Sequence, residues 1–452
     1  MATVQMLVSF VVVLGVLIVV HELGHFLMAR LAGVGVERFS IGFGPVLWRF
    51  RGKETEYCIS AIPMGGYVKM MGDDENPLEG GRSGAIDPRK AFNGKSLGAR
   101  FLIVFAGPAM NFILAVVIAA LMFTLVGRPV APAQVGRVVE GSPAAQAGLV
   151  TGDRIVSIDG SAVAYWEDVA RVVQAAGARP LKVVVQGPAG ERTVDVTPTQ
   201  GKRRDIFGDE QTVWEIGASP YIPATIGDTV AGDPADQAGL KSGDTVVALE
   251  GQAVVSWDDL AEKIHQRAGQ PTRLEIKRDD RTLTVTVTPR KGKIPGPDGR
   301  EVEVGLVGIR PGGTSLMVRS NPLTALWEGA AWAGDVTAKT AIGLYKWASR
   351  QIPSNSIGGP IQIATMAGEQ AKQGLSSLAL FTAVISVNLF LLNLLPVPML
   401  DGGHLLFFAC EAVLGRPLSV RKREVAQQVG FALLMLLMVF AFYNDFKRIG
   451  FF

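Results

Sequence analysis

The chain has 452 residues, of which 48% are hydrophobic and only 19% are charged. This balance, with a mean hydropathy of +0.29, is too apolar for an ordinary soluble protein and predicts membrane segments. The net charge of +3 is too small to indicate a nucleic-acid partner. The two cysteines, Cys58 and Cys410, stand far apart in the sequence, which argues against a disulfide framework.

The first predicted element is an apolar helix over about residues 6–28, long enough to cross a bilayer. We expect a retained helix rather than a signal peptide, because no basic residues precede it and no small-x-small cleavage site comes before its histidines. This helix carries two histidines and a glutamate at residues 21–25. Charged groups at the centre of a membrane helix cost about 2.5–3.5 kcal/mol each on insertion scales, so polar residues there are functional by default.

The motif H-E-x-x-H places His21 and His25 on one face of a helix, where both imidazoles reach a single ion. Zinc suits such a site, because a third protein ligand leaves one coordination position for water. Glu22 is the expected base, which takes a proton from that water and later delivers it to the leaving amine. The less specific interpretation is a polar cluster between helices.

A loop over about residues 40–75 comes next, with alternating apolar residues interrupted by two glycines. This pattern predicts a β-hairpin. We expect its residues Gly65, Gly66, Tyr67 and Val68 to bind a substrate, since an exposed edge holds an extended chain by strand addition. The alternative is a plain cytoplasmic hairpin.

A second apolar segment, residues 100–127, precedes an internal repeat. The copies GSPAAQAGLVTGDRIVSIDG and GDPADQAGLKSGDTVVALEG begin at Gly141 and Gly232, so their offset is 91 residues. Two tandem domains follow from this repeat, over residues 127–215 and 216–305. Their pattern resembles a PDZ domain, which binds chain ends by strand addition. We expect residues 214–220 to supply the peptide-binding loop of the second copy; compact spacer domains are the alternative.

Residues 306–375 are predicted to hold an extracytoplasmic connector and an amphipathic helix near the membrane surface. Asn321 is its expected N-cap and Pro322 its first helical residue. A third span over residues 377–398 and a fourth over about residues 429–443 lie in the C-terminal membrane part, residues 376–452.

The third span ends in the sequence NLLPVPMLDGGH. Its two prolines stop a helix, and irregular backbone at membrane depth is tolerated where protein covers it. Asp401 is the best candidate for the third zinc ligand, with His404 as its rival, because the intervening Gly402 and Gly403 permit many conformations. The residues alone leave this choice open.

Lysines and arginines set the expected orientation. They concentrate in the loop after the first span and before the fourth, which places both loops in the cytoplasm and the repeat outside. Lys447 and Arg448 at the C-terminal end oppose this orientation mildly.

H-E-x-x-H in a first span, together with N-x-x-P-x-P-x-L-D-G after a third, resembles the site-2 protease family of intramembrane zinc metalloproteases. The resemblance runs nearly end to end and implies that His21, His25 and Asp401 bind Zn²⁺ and that Glu22 is catalytic. It implies a substrate-handling role for Asn393. The segments GFGP and IPMGGYVKM match a region that forms a membrane-associated hairpin in this family.

These features predict a polytopic α-helical membrane protein with about four transmembrane helices, two tandem extracytoplasmic PDZ domains of α+β structure and a membrane-associated β-hairpin loop. Its N-terminal membrane part is residues 1–126. The resemblance implies a bacterial inner membrane, with the PDZ domains in the periplasm, and single-span membrane proteins such as an anti-sigma factor, or signal-peptide remnants, as substrates. The alternative is a membrane-anchored PDZ scaffold without proteolytic activity; a transporter is disfavoured because no inverted repeat of broken helices is visible.

Overall fold

The computed structural model describes residues 2–72, 87–188, 190–295, 301–312, 316–356 and 358–450. The chain forms two compact units. The membrane unit combines Met1–Gly127 with Arg319–Phe452, and the repeat unit is Arg128–Val318. The two predicted membrane parts, at opposite ends of the sequence, therefore fold as one body.

The described helices, in chain order, are α1 (Ala2–Leu31), α2 (Leu97–Leu125), α3 (Pro143–Gln146), α4 (Trp166–Ala176), α5 (Pro234–Gln237), α6 (Trp257–His265), α7 (Pro322–Ala348), α8 (Pro360–Gln373), α9 (Leu375–Asn393), α10 (Asp401–Leu414) and α11 (Val420–Arg448). A short 3₁₀ helix spans Ser354–Ser356.

The described strands are β1 (Val36–Arg51), β2 (Glu56–Met70), β3 (Arg128–Val130), β4 (Val135–Val138), β5 (Arg154–Ile158), β6 (Ser161–Ala162), β7 (Leu181–Gly187), β8 (Gly190–Val196), β9 (Thr199–Arg204), β10 (Glu210–Glu215), β11 (Ala218–Pro220), β12 (Ile226–Thr229), β13 (Thr245–Leu249), β14 (Gln252–Ala253), β15 (Thr272–Arg278), β16 (Arg281–Val287), β17 (Arg290–Pro295), β18 (Glu301–Leu306), β19 (Ile309–Pro311) and β20 (Leu316–Val318).

Four of the described helices are long and apolar enough to cross a membrane, as the sequence predicts: Thr3–Leu31, Leu97–Leu125, Leu375–Asn393 and Val420–Arg448. The third is shorter than predicted, because α9 ends at Asn393 and the proline-containing loop lies outside it. The fourth extends well beyond the predicted residues on both sides.

Helices α1 and α2 pack closely through small residues. A Cβ on Gly24 of α1 would overlap the backbone carbonyl of Ala106 on α2. Helix α7 packs along α2 in the same manner, since a Cβ on Gly329 would come within 2.9 Å of the Val116 carbonyl oxygen. Such close backbone approach is typical of helix pairs in membranes.

Helix α7 begins as predicted. The Asn321 side chain accepts a hydrogen bond from the backbone N–H of Thr324 at 3.0 Å, and Pro322 is the first helical residue. One face of α7 is buried through Ala325, Gly329 and Ala333. Large apolar side chains such as Trp327 remain exposed on the helix.

Strands β1 and β2 fold back on each other to form the sheet of the membrane unit. Residues 36–41 of β1 pair with residues 66–70 of β2 on one side and with residues 56–59 on the other, while residues 46–51 pair with 56–60. Among the described residues, no further strand pairs with residues 66–70. This segment, called the inner edge strand below, therefore has one open side.

The repeat unit contains two four-stranded sheets of the same topology, with orders β6-β5-β7-β8 and β14-β13-β15-β16. Each repeat has its own hydrophobic core, one around residues such as Ile155 and Leu181 and the other around Val246 and Leu274. The internal repeat of the sequence thus corresponds to two structurally equivalent bodies.

The predicted division between residues 215 and 216 cuts through the first core, because Ile216 is buried in it and Ala218 packs against it. Strand β11 pairs with β4 of the first repeat, and the assignment of residues 214–220 to the second copy is therefore wrong. The equivalent segment of the second repeat follows Val307, where β19 pairs with β12. In each repeat, a strand near the C-terminal end completes the domain: β11 pairs with β4, and β19 pairs with β12.

The repeats share a buried aspartate that accepts a backbone hydrogen bond in the turn preceding the first central strand: Asp153 from Val150 N–H at 2.9 Å, and Asp244 from Lys241 N–H at 2.8 Å. Burial of Asp244 disfavours its charge, but hydrogen bonds from Arg278 and Lys241 N–H outweigh this and hold the pKa of the carboxyl below its usual range. In the first repeat Arg192 of β8 pairs with Asp153.

Candidate metal centre

Helix α1 places the two histidines of the motif one turn apart on the same face. The Nε2 atoms of His21 and His25 lie 3.2 Å from each other. The side chains are largely removed from solvent, and His25 is 8% exposed. Because both Nε2 atoms point to one place, this arrangement suits two nitrogen donors to a single ion.

Asp401 joins the histidines from the other end of the chain. It is the first residue of α10, and its carboxylate oxygens lie 3.1 Å from His21 Nε2 and 3.5 Å from His25 Nε2. The three donor atoms form one group, within 4.8 Å of one another.

The first turn of α10 packs directly against the loop after α9. A Cβ on Gly402 would overlap the carbonyl of Leu395, and a Cβ on Gly403 would come within 2.6 Å of Pro398. Both glycines lie in the first turn of α10, where the lack of a side chain allows close packing. The prediction that they permit many loop conformations is therefore wrong. This packing fixes where α10 begins, and hence where Asp401 lies.

An ion pair also attaches α10 to α2. The Arg100 guanidinium donates to both carboxylate oxygens of Glu411, at 2.6 and 3.3 Å, and lies 5.2 Å from the centre of the Phe408 ring. Both charged side chains are mostly buried. A bidentate pair of this kind gives a defined geometry as well as attraction.

Helix α2 supports the histidines from behind. His25 Nδ1 lies 2.9 Å from the backbone carbonyl oxygen of Ile103, so Nδ1–H donates to that oxygen and Nε2 keeps its lone pair. A Cβ on Gly107 would overlap the His25 ring at Nε2. The Asn111 amide lies 3.3 Å from His21 Nδ1 and is fully buried.

The donor set fits zinc. Nitrogen and oxygen ligands lie about 2.0–2.2 Å from a tetrahedral zinc ion, which places them roughly 3.3 Å from one another. The observed separations are 3.2, 3.1 and 3.5 Å. Two imidazoles and one carboxylate are also the ligand types of catalytic zinc sites, which keep one position open.

Glu22 follows His21 in the sequence and lies against the sheet. The inner edge strand approaches it so closely that a Cβ on Gly66 would come within 2.9 Å of Glu22 Cγ. Tyr67 stacks on Phe43 with ring centres 6.1 Å apart, and Val68 packs into the core that includes Ala29 of α1. The expected catalytic glutamate and the expected substrate-binding strand are therefore neighbours.

The remaining predicted site residues lie further from this group. Gly65 has a positive φ of 137°, and its position beside the Phe43 ring leaves no space for a Cβ. Asn393 is the half-buried last residue of α9. His404 is not one of the three grouped donors, and its ring packs against Phe407.

The contribution of α2 to the candidate metal centre was not predicted from the sequence. Asn111 had a visible signal, because it is a polar residue in the middle of an apolar span. Gly107 and the carbonyl of Ile103 had none, since glycines are frequent in membrane helices and every residue has a carbonyl.

Two histidines on a helix long and apolar enough to cross a membrane, grouped with an aspartate, are the features expected of an intramembrane metalloprotease. The model of peptidase family M50 matches residues 9–437, and the chain belongs to this family of zinc metalloproteases.

The chain is similar over nearly its whole length to known family members. It is 36% identical over 465 residues to the regulator of sigma-E protease RseP of Escherichia coli, covering 98% of each chain. It is 36% identical over 458 residues to a Neisseria meningitidis protein whose name contains zinc metalloprotease, covering 98% of this chain and 99% of that one. A PDZ domain from Listeria monocytogenes matches 21% of the chain at 18% identity and a TM-score of 0.16.

Proposed function

We propose that this chain cuts single-span membrane proteins within or near the bilayer, and that His21, His25 and Asp401 hold the zinc ion while Glu22 moves the protons. The convergence of three donors, spaced as tetrahedral zinc ligands and with two of them on a helix able to cross a membrane, is the observation that supports this most strongly. When bound there, zinc would lower the pKa of a water molecule so that it can lose a proton and attack a peptide bond, and would polarise the carbonyl under attack.

Glu22 is placed to act as the base and acid of this reaction. It adjoins a ligand in sequence and lies against the inner edge strand, so a peptide on that strand would have its scissile bond near the carboxylate. The carboxylate takes the proton of the attacking water and returns it to the amine that leaves.

The inner edge strand gives the substrate a place to unfold. A membrane helix hides its peptide bonds in its own hydrogen bonds, and backbone groups freed in a bilayer need new partners. Residues 66–70 pair with β1 on one side, have no second partner strand in the described part of the chain, and lie beside Glu22 at Gly66. Pairing there would hold the substrate extended and compensate the hydrogen bonds lost on unwinding.

Proline substitutions test this pairing. Successive N–H groups of a strand point to opposite sides. Among Tyr67→Pro, Val68→Pro and Lys69→Pro, either the middle variant or the two outer variants therefore remove a hydrogen-bond donor from the open side, and the remainder disrupt pairing with β1. We expect open-side variants to fold normally and to lose cleavage by about 10-fold or more, which corresponds to roughly 1.4 kcal/mol. Leu47→Pro, in the outermost strand, is the control. Unchanged cleavage in all three inner-strand variants would refute edge pairing.

We further propose that the two repeats are PDZ domains in the periplasm of a bacterial cell whose inner membrane holds the four spans. The family relative from E. coli is named for regulating sigma-E. An anti-sigma factor, already shortened on the outer side by a first cleavage, is therefore the expected substrate, and remnants of signal peptides are a second class. The PDZ pair would exclude bulky outer domains or sense newly exposed chain ends.

Two versions of one substrate test this proposal. Purified full-length protein in nanodiscs is incubated with a single-span anti-sigma factor that either keeps or lacks its outer domain. We expect only the shortened form to be cut, with a rate ratio of at least about 10-fold. Equal rates would contradict selection by size. Binding of the shortened form without any cleavage, in protein that contains zinc, would favour a scaffold instead.

A further inference from the structure

Asn111 lies behind the metal centre, and its role is not explained by helix packing alone. It is fully buried in α2, and its amide faces His21 Nδ1 at 3.3 Å. Its carbonyl oxygen Oδ1 is buried without a hydrogen-bond partner. A buried polar atom left unpaired costs about 1–3 kcal/mol, so this oxygen calls for a partner.

The partner depends on which way the amide is turned. With Nδ2 toward the ring, His21 Nδ1 must accept, so the ring proton sits on Nε2, the atom that faces Asp401. A protonated Nε2 cannot bind a metal. Turning the planar amide by 180° changes the shape of the side chain very little, pairs Oδ1 with Nδ1–H and frees the lone pair of Nε2, while the amide NH₂ takes the place that Oδ1 held.

The second histidine, His25, already has its proton on Nδ1 and its lone pair on Nε2. His25 donates its Nδ1–H to the carbonyl of Ile103, also on α2. Helices α1 and α2 run side by side, and the pairs 25–103 and 21–111 follow one another along that contact. Both histidines would then be held in the same tautomer by carbonyl oxygens from one helix.

We propose that Asn111 is a positioning residue that accepts a hydrogen bond from His21 Nδ1–H and so presents His21 Nε2 to zinc; the inference rests on the metal site proposed above. Asn111 is itself anchored, because its backbone carbonyl accepts a hydrogen bond from Ser386 Oγ of α9 at 2.7 Å. The three helices α1, α2 and α9 thereby meet at one ligand. Partners of this kind tune affinity and are known to change metal binding by about 10–100-fold when removed.

The direct test is the position of the ring proton. In full-length protein with ¹⁵N-labelled histidine and bound zinc, NMR coupling identifies the protonated nitrogen of His21. The protein retains only three other histidines, and a His21→Ala sample assigns the signal. We expect the proton on Nδ1. A proton on Nε2 would overturn the proposal without any variant having to fold.

Zinc affinity of two variants provides the second test. Asn111→Leu removes the acceptor, and we expect affinity, measured by competition with a chelator, to fall about 10–100-fold. Asn111→Asp keeps an acceptor at the same place and should stay within about 5-fold of the unaltered protein. Thr382→Ala is the matched control, since it removes a buried hydroxyl of α9 whose hydrogen bond goes to the Leu378 carbonyl and not to Asn111, and it should bind zinc normally.

The outcomes separate this inference from the site on which it rests. If Asn111→Leu binds zinc normally while His21→Ala loses it, the metal site stands and the role of Asn111 is wrong. Equal weakening in Asn111→Asp and Asn111→Leu would also overturn it, because the amide would then act as a donor. If His21→Ala keeps zinc, the proposed site itself fails.

Discussion

Replacing Glu22 by Gln is expected to abolish cleavage while zinc remains bound. The amide has nearly the same shape as the carboxylate but cannot take a proton from water. The three grouped donors do not include Glu22, so the ligand set is untouched. General acid–base catalysis typically contributes about 10²–10⁴-fold to rate. The cleavage rate should fall by a factor in that range.

The measurement combines zinc content with single-turnover cleavage of the shortened substrate, so that loss of metal and loss of chemistry are distinguished. Glu54→Gln is the control, because Glu54 is a half-exposed carboxylate that pairs with Arg30 and Lys90 away from the donors. It should cleave normally. Cleavage by Glu22→Gln within about 10-fold of the unaltered rate would assign the base to another group, and loss of zinc would make Glu22 part of the ligand structure.

The proximity of the two histidines could be predicted because a helix has a fixed period. His21 and His25 are four residues apart, and any helix brings such residues to one face. The apolar spans were equally visible, since a bilayer demands about 20 apolar residues whatever the sequence around them. Asp401 was different, because the residues left His404 as a rival and only the family pattern favoured Asp401.

The parts that escaped prediction depend on contacts between distant segments. The inner edge strand was expected in the hairpin, but its approach to Glu22 through Gly66 depends on how a sheet packs on α1. The repeat offset revealed two equivalent domains, yet not their ends, because each closes with a strand that lies past the repeated motif. That is why Ile216 belongs to the first core although the predicted boundary assigns it to the second.

A methyl group at Gly107 should remove zinc binding as effectively as loss of a ligand. A Cβ there would overlap His25 at Nε2, the atom proposed to bind zinc. The ring cannot retreat easily, because its Nδ1–H is held by the carbonyl of Ile103 and Gly107 belongs to a long helix. We expect Gly107→Ala to weaken zinc affinity by at least about 100-fold, the upper end of what loss of an outer partner causes.

Gly98→Ala is the matched control on the same helix. Nothing lies within 4 Å of a Cβ at Gly98, and alanine in an exposed helix is more favourable than glycine by up to about 1 kcal/mol. This variant should bind zinc normally and unfold at an equal or higher temperature, so helix propensity cannot explain a loss in Gly107→Ala. If both variants bind zinc equally, His25 has room to move, and the close contact between α1 and α2 does not set the geometry of the metal centre.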